Sequence, residues 1–211
     1  YTKRFLSDRP DEFVQVPFND LDAMEDAVRR HRPAAVIMET IPATYGFPMP
    51  AEGYLPAVKR ICEAHGALYI ADEVQTGLMR TGVMWAVYGY GVEPDILVTA
   101  KGISGGLYTL GCVLVAPHAA SWLHEDGFAH ISTGGGAELG CCVALKVLEI
   151  TQRPEVIENG RRVAVFFATE LAKVQALHAD FFTGVRQNGL IMGLEFDHPE
   201  GAKLVMRRLY E

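Results

Sequence analysis

The stretch Ala67-Leu68-Tyr69-Ile70-Ala71-Asp72-Glu73-Val74-Gln75-Thr76-Gly77 decides how this sequence folds. Five apolar residues in a row, entered from Gly66 and left on an acid, are too few for a helix. They suit a strand buried on both faces of a parallel sheet. Just upstream, Pro56 sits at a helix start, Val58, Ile61 and Cys62 share one face, and Gly66 supplies the stop. The same order occurs once before. Asn19-Asp20-Leu21 opens a helix with Leu21, Met24, Ala27 and Val28 on one face, Arg29, Arg30 and His31 suit its C-terminal dipole, and Pro33 ends it. Ala34-Ala35-Val36-Ile37-Met38 then reads as a second doubly buried strand, ending in Glu39. Downstream, Asp95 to Thr99 and Cys112 to Val115 continue the alternation, so the expected class is α/β: a mainly parallel sheet flanked by helices.

The remainder changes character. A helix from Glu138, with Leu139, Cys142, Leu145 and Leu148 as its apolar face, runs to the break at Arg153-Pro154, and a further helix reaches about Leu177. Strands at Phe181 to Arg186 and Leu190 to Phe196 and a helix from Pro199 suggest part of a smaller α+β unit. Residues 1–150 are therefore assigned to a large domain and 151–211 to part of a small C-terminal one. Between Thr40 and Gly53, Pro42, Pro48, Pro50 and Gly46 enforce a loop immediately after a strand, where function often resides.

Composition narrows the partners. The 211 residues hold 19 Lys+Arg against 26 Asp+Glu, a net −7, with 49% hydrophobic positions, enough to bury a core. No basic stripe is present to neutralise phosphates, so neither nucleic acid nor a membrane surface is expected, and a small-molecule partner is. No apolar run approaches a membrane span. The opening residues, Tyr1 to Pro10, lack an initiating Met and a signal core and read as the interior of a longer chain. Cys62, Cys112, Cys141 and Cys142 have no C-x-x-C spacing; they read as reduced core residues of a cytoplasmic protein, with no metal site.

In open parallel sheets the ligand crevice lies beyond the carboxyl ends of the strands, which singles out Glu39, Asp72 and Lys101. Taken singly, a strand-terminal Asp commonly caps a turn and a Lys commonly sits in solvent. Together they place opposite charges on one rim. A partly desolvated Lys can form a Schiff base with a carbonyl, and Gly102, Gly105 and Gly106 leave room for a cofactor against the backbone. Pyridoxal phosphate requires such a Lys, and also a carboxylate such as Asp72 against its pyridine nitrogen so that the ring can accept electrons.

Three blocks make the sequence similar to a known family. Ala71-Asp72-Glu73-Val74-Gln75-Thr76-Gly77-Leu78-Met79-Arg80-Thr81-Gly82 and Pro94-Asp95-Ile96-Leu97-Val98-Thr99-Ala100-Lys101-Gly102-Ile103-Ser104-Gly105-Gly106 resemble, in order and spacing, the signature of class III aminotransferases of the fold-type-I pyridoxal-phosphate superfamily. Ile131-Ser132-Thr133-Gly134-Gly135-Gly136 resembles the family's Ser-Thr-x-Gly-Gly-Asn stretch, although Ala137-Glu138 replace its Asn-Pro. The resemblance implies that Lys101 carries pyridoxal 5'-phosphate as a Schiff base, Asp72 pairs with the ring nitrogen, Val74 packs on the ring face and Gln75 lies near the ring hydroxyl. It further implies a homodimer, with Thr133 reaching the phosphate of the partner subunit's cofactor, and transfer of an amino group from an amine donor to a carbonyl acceptor.

Family members are longer. The resemblance places upstream of this chain the Gly/Ser-rich turn that holds the phosphate in cis, and downstream the arginine that grips a substrate carboxylate. Many members carry a Glu at the position of Thr44, five residues after Glu39; here Thr44, Tyr45 and Phe47 offer a hydroxyl and aromatic surface on the substrate side instead. Racemases, aminomutases and decarboxylases of the family use the same Lys and Asp, and a non-catalytic folded fragment is the competing reading from another class. Ser104 lacks a G-x-S-x-G elbow and reads as a turn hydroxyl. His124-Glu125-Asp126 lacks the second His of a helical zinc motif.

Overall fold

A computed structural model of the chain describes residues 12–211. The opening segment, Tyr1 to Pro10, lies outside the described residues. Asp20 caps the first helix, α1 (Leu21–His31), by accepting a hydrogen bond from the Ala23 N–H at 2.9 Å. Arg32 ends it in the left-handed region, and Pro33 prevents its resumption. Then follow β1 (Ala35–Glu39), α2 (Tyr54–His65), β2 (Leu68–Asp72), a single turn α3 (Ala86–Gly89), β3 (Ile96–Thr99) and β4 (Cys112–Val115). Pro56 lies in the first turn of α2, and Gly66, with φ 71°, ends that helix.

The four strands form one sheet in the order β1-β2-β3-β4. The first three run parallel, and β4 returns antiparallel to β3. In this register Glu39 stands opposite Asp72, and Asp72 opposite Val98, so the strand ends share one rim and the chain leaves β3 towards Lys101 beside it. Helices α1 and α2 cover one region of the sheet. Val28, Tyr54, Leu55, Val58, Cys62, Tyr69, Ala71 and Val87 form the buried centre, where each fully covered side chain of Val or Leu size contributes about 1.5–3 kcal/mol. Trp85 joins that core by lying on Gly77, where a Cβ would come within 2.7 Å of its ring.

Past β4 come α4 (Ser121–Glu125), α5 (Glu138–Thr151), α6 (Pro154–Leu177), β5 (Phe182–Asn188), β6 (Ile191–Phe196) and α7 (Gly201–Tyr210). β5 and β6 pair antiparallel as a separate two-stranded sheet. Their hairpin does not stand apart. Leu190 N–H donates to the Arg80 carbonyl at 2.7 Å, Arg186 Nε donates to the Gly46 carbonyl at 2.9 Å, and Asn188 Nδ2 donates to the Tyr90 hydroxyl at 3.1 Å. Arg186 also pairs with Glu195 on the neighbouring strand.

Three expectations about burial need correction. Ile37, expected inside a doubly covered strand, is 65% exposed, because β1 is an edge strand whose outer face nothing covers among the described residues. On α5 the expected face is also turned out: Leu139 is 66% and Leu145 67% exposed. The helix packs instead through Gly140, Ala144 and Val147, with Gly140 against Tyr108 and Val147 against Gly105. Cys141 and Cys142 are accordingly exposed, whereas Cys62 is a core residue whose thiol burial pushes up to about 11. Among the described residues, no helix is long and apolar enough to cross a membrane.

Candidate active site at the sheet rim

Lys101 begins a short 3-10 turn, Lys101–Ser104, directly after β3. Its φ is +47°, in the left-handed region that a residue with a Cβ enters at a cost of about 1–2 kcal/mol. Leu78 and Met79, at φ 59° and 65°, are held similarly on the facing loop, where both N–H groups donate to the Met84 carbonyl. Backbone outliers of this kind persist where the surrounding structure fixes them, and they cluster at functional sites. The Ser104 hydroxyl donates to the Lys101 carbonyl at 3.0 Å and accepts from the Gly106 N–H at 3.3 Å, so it serves the turn.

Lys101, Val74 and Gln75 line a cavity of about 260 Å³ that Leu78 and Arg80 close on one side and Leu190 and Ile191 on the other. The β5–β6 hairpin thus faces a wall made by loops of the first sheet. Gly102 keeps that wall tight, since a Cβ there would lie 3.0 Å from Leu78 Cδ1. Lys101 also lines a second hollow of about 390 Å³ formed with Ser104 and the 106–110 segment, and its side chain is exposed between the two. Asp72 is half-buried at the foot of the loop, its Oδ1 accepting the Val74 N–H at 2.9 Å, and it is not among the residues lining either cavity. Among the described residues no ion pair joins it to Lys101.

The remaining expected residues stand apart. Glu39 is half-buried, and its Oε2 accepts the Ala43 N–H at 3.0 Å, which fixes the start of the following loop. Thr44 is exposed in the Ala43–Tyr45 turn. Thr133 is exposed between α4 and α5, and neither cavity includes it. The donor set nonetheless suits a planar aldehyde bearing a hydroxyl and a basic ring nitrogen. It offers a primary amine at Lys101, an amide at Gln75, an apolar branched side chain at Val74 and a carboxylate at Asp72.

The sequence reading missed Glu73, Arg80, Leu190 and Ile191. Arg80 is an exposed guanidinium on the cavity wall, in the same block as Gln75. Leu190 and Ile191 had no sequence signal connecting them to the site. Glu73 is 1% exposed, and its carboxylate collects donors from three segments.

Comparison with known proteins places this geometry. An uncharacterized aminotransferase of Archaeoglobus fulgidus is 48% identical over 183 residues, covering 87% of this chain and 43% of that protein. The acetylornithine aminotransferase of Rhodobacter capsulatus is 40% identical over 189 residues, 90% of this chain and 47% of the relative. Among solved structures, acetylornithine aminotransferase from Elizabethkingia anophelis superposes with a TM-score of 0.85 at 31% identity, covering 98% of this chain and 53% of that one. The chain thus spans about half the length of the relatives it matches. Since the class-III aminotransferase model also matches residues 5–211, both signature blocks and the hairpin that closes the cavity included, the chain belongs to the class-III aminotransferase family.

Proposed function

We propose that the protein transfers an amino group from a small amine or amino-acid donor to a keto acid, ketone or aldehyde acceptor, with Lys101 as its central catalytic residue. Class-III aminotransferases work with pyridoxal phosphate, and a solved relative from Toxoplasma gondii is described with that group at its active site. When bound, pyridoxal phosphate supplies an aldehyde and an electron-accepting ring for the pair released at the substrate α-carbon. The observation that carries the proposal is the convergence of Lys101, Gln75 and Val74 on one cavity at the carboxyl end of the sheet.

Each side chain has a defined task. Lys101 Nζ is the amine that would hold the aldehyde of the group, and when not so engaged it would be the base that moves a proton at the reacting carbon. Asp72 would supply the negative charge that keeps the ring nitrogen protonated. Val74 would pack on the ring face, and the Gln75 amide would hydrogen-bond the ring hydroxyl. Glu39 and Thr44 would serve the substrate side, and Thr133 would reach the phosphate held by the partner subunit of a homodimer. The division near residue 150 separates the large cofactor domain from the small one, a cytoplasmic location fits the reduced cysteines, and no nucleic acid or membrane takes part.

Borohydride reduction of the protein after incubation with pyridoxal phosphate, followed by peptide mass mapping, tests this directly. A pyridoxyl adduct on Lys101 is expected; protein without that adduct overturns the assignment. Stoichiometric keto product from the donor supports transfer, and racemised donor without keto product overturns it.

A further inference from the structure

Glu73 lies between Asp72 and Val74 in the chain, and its carboxylate is the most heavily bonded buried group in the fold's described part. Oε1 accepts the Thr40 hydroxyl at 2.6 Å and the Val87 N–H at 2.8 Å; Oε2 accepts the Thr76 hydroxyl at 2.7 Å and the Ala86 N–H at 3.0 Å. Its main chain is fixed as well, with Glu73 N–H donating to the Val98 carbonyl at 2.8 Å and its carbonyl accepting the Gly77 N–H at 3.0 Å. Among the described residues no cation pairs with it. A buried carboxylate held this way is an expensive way to join three segments, since hydrogen bonds must offset its desolvation.

What those bonds hold is specific. Thr40 adjoins Glu39, Thr76 adjoins Gln75, and Glu73 itself separates Asp72 from Val74, which are tied to each other by the Val74 N–H. We propose that Glu73 is a positioning residue: its carboxylate locks the 72–76 turn so that Asp72 meets the ring nitrogen and Val74 the ring face of the cofactor. This inference rests on the reading of Asp72 and Val74 given above. It adds a residue that borders the same cavity but whose carboxylate is spent on Thr40, Thr76, Ala86 and Val87, so that it acts through both neighbours.

Glu73→Gln is the discriminating change. The amide keeps the shape, and the two threonine hydroxyls can rotate to accept from its NH2. The N–H groups of Ala86 and Val87 cannot rotate, so in either orientation one of them faces a donor instead of an acceptor. In the full natural chain, cofactor titration followed by absorbance is expected to show Kd weakened about ten- to a hundredfold. The pH midpoint of the bound cofactor's absorbance change should also be displaced, because the Asp72 charge is no longer held against the ring.

Thr76→Val removes one donor without removing the carboxylate, and should weaken Kd by roughly two- to tenfold with the midpoint displaced in the same direction. It decides the matter if Glu73→Gln does not fold. A folded variant of either kind with wild-type Kd and midpoint overturns the proposal, as does a weakened Kd with an unmoved midpoint, which assigns Glu73 to stability alone. Wild-type protein that forms no Lys101 adduct identifies a different failure, that of the cofactor reading, and removes both.

Discussion

Lys101 occupies a backbone conformation that glycine tolerates far better than lysine. Replacing it therefore separates chemistry from strain. Lys101→Ala and Lys101→Gly should both abolish covalent cofactor attachment. The glycine variant should nevertheless be the more stable by roughly 0.5–1 kcal/mol, the left-handed penalty less the entropy that glycine adds to the unfolded chain. Denaturant unfolding of the two measures this, and an alanine variant of equal or greater stability would show that no such strain exists. The lysine itself was legible in the sequence because a cation following a buried strand has a defined place at the sheet rim. Its φ was not, since nothing in Ala100-Lys101-Gly102 announces that the residue before the glycine takes the left-handed turn. Glu73 was hidden for another reason: the donors that satisfy it come from Thr40 and from Ala86 and Val87, and only the folded chain brings them together.

Asp95, which immediately precedes β3, is a joint between elements. Its side chain is 6% exposed; Oδ1 takes Lys59 Nζ of α2 at 2.7 Å and His118 Nε2 at 2.8 Å, and Oδ2 accepts the Tyr69 N–H of β2 at 2.7 Å. It stands at the end of the strand opposite Lys101, so it serves the fold and not the chemistry. Burial by itself would raise the Asp95 carboxyl pKa, but the Lys59 and Tyr69 hydrogen bonds outweigh it and hold the group below 3.8. Burial likewise opposes the Lys59 charge, yet Asp95 and Glu63 keep its pKa above 10.5. The signs give a window. A depressed carboxyl contributes stability above its unfolded value and loses it as pH falls through the folded one; a raised amine contributes below its unfolded value and loses it as pH rises through the folded one. Asp95→Asn should cost about 1–3 kcal/mol at neutral pH, and the gap to wild type should shrink in strong acid. Thermal unfolding across pH checks it; a gap constant into acid would remove Asp95 as its source. Elements of this kind were largely readable in advance: the helices at 21–31 and 154–177 and the strands at 35–39 and 68–72 follow from capping residues, Pro breaks and apolar period. Burial was less so, because Ile37 and Leu145 are as apolar as core residues, and no local pattern says whether a neighbour will cover them.

At the scale of the whole molecule, the cavity exists because the second sheet's hairpin presses on the first sheet's loops. Gly189, at φ +60°, makes that approach possible: a Cβ there would lie 2.5 Å from the Arg80 carbonyl oxygen. Gly189→Ala should push the hairpin off, destabilise the protein by about 1–3 kcal/mol and speed amide hydrogen exchange at Leu190, whose N–H bonds that same carbonyl. Unchanged exchange at Leu190 would mean that the hairpin seats without this contact. The antiparallel return of β4 also bears on how the rim around Lys101 can evolve. With β3 rising to Lys101 and β4 descending from Cys112, the lysine rides an arch with both feet planted in one sheet. The span between them, where Leu107 faces solvent while Tyr108 rests on Gly140, can be re-lettered at its exposed positions to admit new molecules while the anchorage stays where it is.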